Sequence, residues 1–90
     1  MVYYDWDKEK NKKLKIERSI SFEEVIIALE VDGLIDEINN PSKNFPDQKV
    51  FVIQIFNYLY YVPFVKKSDE TIFLKTIIPS RKILKKYMNK

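Results

Sequence analysis

Hydrophobic positions change their period along the chain, and the changes divide it into helical and extended stretches. In "SFEEVIIALEVDG" the apolar residues Phe22, Val25, Ile26 and Leu29 recur at the spacing of one α-helical face. Ser21 and Glu24 form an S-x-x-E capping box, and Ile20 and Val25 stand where a hydrophobic staple would close the helix start. Gly33, the only glycine, falls where a left-handed residue would end that helix. The preceding "WDKEKNKKLKIERSI" predicts a more polar surface helix, with Asp7 as N-cap, Leu14, Ile16 and Ile20 as sparse apolar positions and Trp6 as anchor.

Beyond Gly33 the pattern turns extended. "LIDEI" predicts a short edge strand, and "NNPSKNFPDQ" is rich in turn residues. "KVFVIQIF" and "YLYYVPFV" predict a hairpin that turns at Asn57-Tyr58, and "TIFLKTII" a third long strand after the turn "KKSDE". Pro63 has no N–H for a ladder, so it marks an edge or a bulge. Pro79 stops the third strand and Ser80 is placed to cap a last helix. On that helix Arg81, Lys82, Lys85 and Lys86 cover one arc, and Ile83, Leu84, Tyr87 and Met88 the opposite one. The order predicts one α+β domain over 1–90. Two N-terminal helices precede a small antiparallel β-meander sheet of three to four strands, and a C-terminal basic helix docks on it by its apolar side.

Composition narrows the chemistry. The chain has 90 residues, 46% hydrophobic and 32% charged, which suits one small globular domain. Its apolar runs are well short of the ~20 residues that span a bilayer, and "MVYYDWDKEK" lacks the apolar core of a signal peptide. It has no cysteine, which fits a cytoplasmic setting, and no histidine, so the commonest general base and zinc ligand are missing. No cofactor and no metal are expected. The net charge of +3 is segregated. Residues 8–18 carry six cations and two anions, residues 19–70 four and nine, and residues 71–90 six cations alone. Two basic ends that met in the fold would suit an anionic polymer or an acidic partner; scattered charge for solubility is the plainer alternative.

The chain also resembles the BrnT type of toxin from bacterial toxin–antitoxin pairs. The resemblance begins with "YDWDKEK", continues at a matching interval with "SISFEEV", passes through hydrophobic hairpin strands and ends in "IIPSRKILKKY". That last stretch is similar to the family's Ile-Ile-Ser-Ala-Arg-(Arg/Lys) signature and its basic helix closing on Tyr. The resemblance implies a RelE-like fold and a metal-independent endoribonuclease that cleaves RNA, stops translation and is neutralised by a co-encoded antitoxin. It carries Arg81 over as the signature arginine. Two positions depart from the pattern: Arg18 stands where the family has histidine, and Thr76 where it favours arginine. Lys75 is adjacent to Thr76, but strand neighbours point to opposite faces, so it substitutes only where a bulge turns it.

RNA supplies its own nucleophile, the 2′-hydroxyl, so an enzyme needs mainly to align it and to stabilise charge on the phosphoryl oxygens. The expected catalytic set is Arg81 gripping the scissile phosphate with its planar fork, with Lys75, Tyr87 and Glu70 beside it, and Tyr61 as a further acid–base candidate. Lys82, Lys85, Lys86, Lys66 and Lys67 are the expected RNA-binding cations. Tyr58, Tyr60 and Tyr61 read first as strand packing, and Glu23 and Glu24 as capping residues. Two non-catalytic alternatives stand beside the toxin: a nucleic-acid-binding module and a partner-binding protein of the same fold.

Overall fold

Asp7 starts the first helix as its sequence promises. Its carboxylate accepts from the backbone N–H groups of Glu9 at 2.8 Å and Lys10 at 3.2 Å. A computed structural model describes residues 2–39, 44 and 48–79 of the chain. These form β1 (Tyr3–Trp6), α1 (Lys8–Arg18), α2 (Phe22–Glu30), β2 (Leu34–Asn39), β3 (Lys49–Ile55), β4 (Tyr58–Lys66), β5 (Thr71–Leu74) and β6 (Ile78–Pro79). The class is α+β, as expected. The predicted C-terminal helix and most of the predicted loop lie outside the described residues.

The sheet departs from the expected meander in two ways. Among the described residues it has six strands, and it is mixed: in the order β1-β5-β4-β3-β2, with β6 also on β4, β1 runs parallel to β5, while the remaining pairs are antiparallel. "YYDW" is too short to announce a strand by its own alternation; its pairing is fixed at long range, with Tyr4 opposite Ile72 and Trp6 opposite Leu74. The second departure is in "TIFLKTII", which is interrupted. Phe64 pairs with Leu74 and Tyr61 with Ile78, so two residues of β4 face three, Lys75 to Ile77, on the other strand. That is a bulge, and Pro63 sits opposite it, accepting from the Lys75 N–H at 2.8 Å with no N–H to return.

Alternation then sorts the two sheet faces. Phe51, Ile53, Val62, Phe64, Leu74 and Ile77 turn toward the helices and join Leu14, Ile20, Phe22, Val25 and Ala28 in the main core. Trp6 stacks on Phe22 with centroids 5.8 Å apart, the anchor that the sequence suggested. Val52 and Leu59 are buried on the opposite face, with Ile38 and Tyr61 against them. Ile16 is not a core position; it is 84% exposed. Buried Asn11 takes a place no apolar pattern marks, accepting from the Phe22 N–H at 2.8 Å and donating to Glu23.

Two backbone expectations shift by one residue. The left-handed residue after α2 is Asp32 (φ 71), not Gly33. Gly33 is the following residue, whose N–H reaches back to the Ala28 carbonyl at 2.6 Å in a Schellman closure. A glycine is needed there because an added Cβ would lie 2.7 Å from the Ala28 carbonyl oxygen and 3.0 Å from that of Gln54. The hairpin turns at Phe56-Asn57, with Ile55 paired to Tyr58, and Phe56 carries the positive φ of 57.

Candidate nucleic-acid interface

The corner where α1 meets α2 is held to the end of the chain's described part by one side chain. Ser19 closes α1 in the left-handed region (φ 54), which turns the chain into the Ser21 cap of α2. Arg18, the residue before that turn, donates from Nη1 to the Ile77 carbonyl at 2.8 Å. The bulge makes this reach possible: Ile77 is buried in the core and Ile78 is turned outward. Three stretches therefore converge: "YDWDKEK" through Trp6 on Phe22, "SISFEEV" through Asn11 and the Ser21 cap, and "IIP" through Arg18.

Beside this corner β4 presents Tyr58 and Tyr60, ring centroids 5.3 Å apart. Burial first, and then the neighbouring Tyr58 and Glu24, push the Tyr60 phenol above its ordinary value. Burial alone does the same to Tyr61 on the other face. Both rings therefore hold their protons, which makes them donors rather than bases near neutral pH. A groove of about 500 Å³ opens from Ser19 and Glu24 along α2 to the hairpin turn, walled by Ile27, Val31 and Phe56.

The expected site residues fall in several places. Arg81, Lys82, Lys85, Lys86 and Tyr87 lie outside the described residues. Lys66 and Lys67, neighbours in sequence, go to opposite faces. Lys66 shares a cleft with Glu37, Lys49, Phe64 and Ile72 on the helix side of the sheet. Lys67 instead places its ammonium 4.3 Å from the centre of the Phe73 ring on the other side. Lys75, at the start of the bulge, stays on that same side, 5.1 Å from the same ring. The structure thus brings Lys75 and Lys67 together around Phe73. Glu70 is exposed in the turn before β5, where its carbonyl accepts from the Tyr3 N–H at 2.6 Å and so guides β1 into register.

Arg18 and Phe73 were not singled out as site residues by their chemistry. Phe73 had a signal, since "TIFLK" alternates it onto the face of Lys75. The contact from Arg18 had none, because its partner is a backbone carbonyl 59 positions away. Comparison of the chain with protein-family models, with curated proteins and with solved structures returned no match.

Proposed function

We propose that the protein is the toxin of a toxin–antitoxin pair, a metal-independent endoribonuclease that cleaves RNA, including ribosome-bound mRNA, inhibits translation in the cytoplasm and is neutralised by a co-encoded antitoxin. The observation that carries this reading is the Arg18–Ile77 hydrogen bond. It joins the end of α1, between "YDWDKEK" and "SISFEEV", to Ile77 at the start of the third stretch on which the resemblance rests. The fold proposed is RelE-like, with the C-terminal segment from Ser80 as its basic helix.

In this reading Arg81 grips the scissile phosphate and lowers the cost of charge on its oxygens as the 2′-hydroxyl attacks. Lys82, Lys85 and Lys86 hold the flanking phosphates, and Tyr87 is the proton donor to the leaving oxygen. With no histidine in the chain, the base is a weak one, which fits a slow enzyme or one whose substrate is positioned by the ribosome. The test is inducible expression of wild type against Arg81→Ala, together with cleavage of naked and ribosome-bound RNA in EDTA. Growth arrest and cleavage by wild type, with a loss of roughly 10²–10³ in rate in the variant, are expected. Intact RNA under both conditions would rule catalysis out.

A second reading is a module that binds RNA without cutting it, favoured by a basic chain that has no histidine to serve as general base. In that case Arg81→Ala lowers affinity only, and wild type leaves RNA intact at every concentration.

A further inference from the structure

Phe73 and its two lysines form a unit that the proposed catalytic corner does not use. We infer that Lys67, Phe73 and Lys75 make a separate single-stranded RNA track on the sheet face away from the helices, where a base or ribose lies against the ring and the two ammonium groups hold adjacent phosphates.

The strand geometry builds this unit. β4 and β5 are antiparallel, and Val65 is the residue directly opposite Phe73. Lys67 lies two positions beyond Val65, just past the end of β4, and Lys75 two positions beyond Phe73, just past the end of β5, so the cations approach the ring from opposite ends. The bulge opposite Pro63 preserves the arrangement. Leu74 and Ile77 both bury, and Lys75 stays exposed on the ring's side. Lys67 and Lys75 make no ion pair among the described residues, whereas Lys49, across the sheet, is 3.8 Å from Glu37. Asp5, beside Phe73 in register on β1, is the acid nearest in the ladder, and its Oδ1 accepts from the Trp6 N–H at 2.8 Å. Tyr3, one register step past Asp5 on the same face, is 57% exposed and extends the aromatic surface.

Two cations that make no ion pair among the described residues, set around a half-buried ring, suit a phosphate backbone with stackable bases. Among the described residues no buried polar group is placed there to read base edges, so recognition is sequence-tolerant. A bound strand exchanges weak contacts, ammonium on ring at an exposed site, for ammonium on phosphate. The choice of RNA over DNA rests on the proposed function; the track itself does not.

The test uses the full chain and a short fluorescent single-stranded oligonucleotide with 2′-O-methyl riboses, which cannot be cut by internal attack. Anisotropy titrations compare wild type, Phe73→Leu and the double variant Lys67→Gln/Lys75→Gln over a range of salt. Loss of one stacked base is expected to weaken binding by roughly fivefold or more in Phe73→Leu. Loss of two phosphate contacts should flatten the log–log salt slope by about 1.4 in the double variant. Circular dichroism melts verify folding, and the double variant, altered only at exposed positions, decides the matter if Phe73→Leu unfolds. Binding and salt slope equal to wild type in the folded variants overturn the track. So does displacement of the RNA by a poly-glutamate peptide combined with unchanged RNA affinity in Phe73→Leu, which would make the patch a dock for an acidic protein. A wild type that binds the probe yet leaves both the unmodified strand and ribosome-bound RNA uncut removes the toxin reading and leaves the track standing.

Discussion

Asn11 shows how one buried polar side chain ties two helices whose apolar faces alone leave their relative position loose. Its amide oxygen takes the Phe22 N–H at the start of α2, a donor with no partner inside that helix, and its nitrogen donates to Glu23. The hydrogen bond from Asn11, ahead of the one from Lys15, holds the Glu23 carboxyl below its ordinary range. Asn11→Ala is expected to cost about 1–3 kcal/mol in chemical denaturation, because a buried N–H loses its acceptor. The sign for Glu23 follows from its lowered pKa. Its contribution is present above the ordinary glutamate pKa and is lost as pH falls through the folded value, so Asn11→Ala should also flatten the acid limb of the stability profile. Tyr60 works in the other direction. Its phenol is raised by burial and then by Tyr58 and Glu24, so the folded chain holds that proton more tightly than the unfolded one. Stability is complete below about pH 10, the ordinary tyrosine value, and declines above it. Tyr60→Phe should shrink that alkaline decline in melts recorded on either side of pH 10; an unchanged decline would mean that the phenol is not the group responsible.

Helix starts were legible because their chemistry is local. Asp7 and Ser21 cap the helices the sequence assigned to them, with Ile20 and Val25 buried together at the start of α2. Helix and hairpin ends were legible only to within a residue. Gly33 was expected to take the left-handed conformation, but Asp32 tolerates it, and glycine is required one place later by the approach of Ala28 and Gln54, which no local pattern encodes. Gly33→Ala should therefore destabilise by about 1–3 kcal/mol through overpacking, while Asp32→Gly is accepted. The hairpin gives the opposite result. Phe56 holds φ 57 at the turn and is 89% exposed, so its ring adds little burial to offset the left-handed cost. Phe56→Gly should gain up to about 1 kcal/mol, read as a higher Tm; a lower Tm would show that the ring packs in solution. Strand β1 and the break in "TIFLKTII" were not legible, since a four-residue parallel strand and a bulge opposite a proline are set by partners far along the chain. Pro63 gave the one hint, being confined by its missing N–H to an edge or a bulge.

At the scale of the molecule, the cations among the described residues do not map simply onto one surface. The adjacent Lys66 and Lys67 separate to the two sheet faces, and Lys75 joins Lys67 rather than the corner of Arg18. Composition could announce cations for an anionic polymer; only register could say which of them share a face. Arg18 is a cation that acts on the architecture. It stands where the resembled family has histidine, and its bond to Ile77 joins α1 to the strand end 59 positions later. Ile77 is fully buried while Ile78 and Pro79 are exposed and paired to β4 by only two residues, so this tie fixes a segment that the ladder holds weakly. Removing it should act locally. Arg18→Ala is expected to lower global stability by about 1.5 kcal/mol, the lower end for a charged hydrogen bond because the arginine is largely exposed. Hydrogen exchange at the amides of residues 76–78 should rise well beyond what that loss explains, while β3 amides follow the global change. Arg18→Lys keeps the charge without the planar fork and should restore protection only in part. If the substitution raises exchange uniformly through β3 and β4, Arg18 supports the whole fold and not this strand end. If residues 76–78 keep their protection, the core burial of Ile77 suffices, and the convergence on which the proposed function rests does not depend on Arg18.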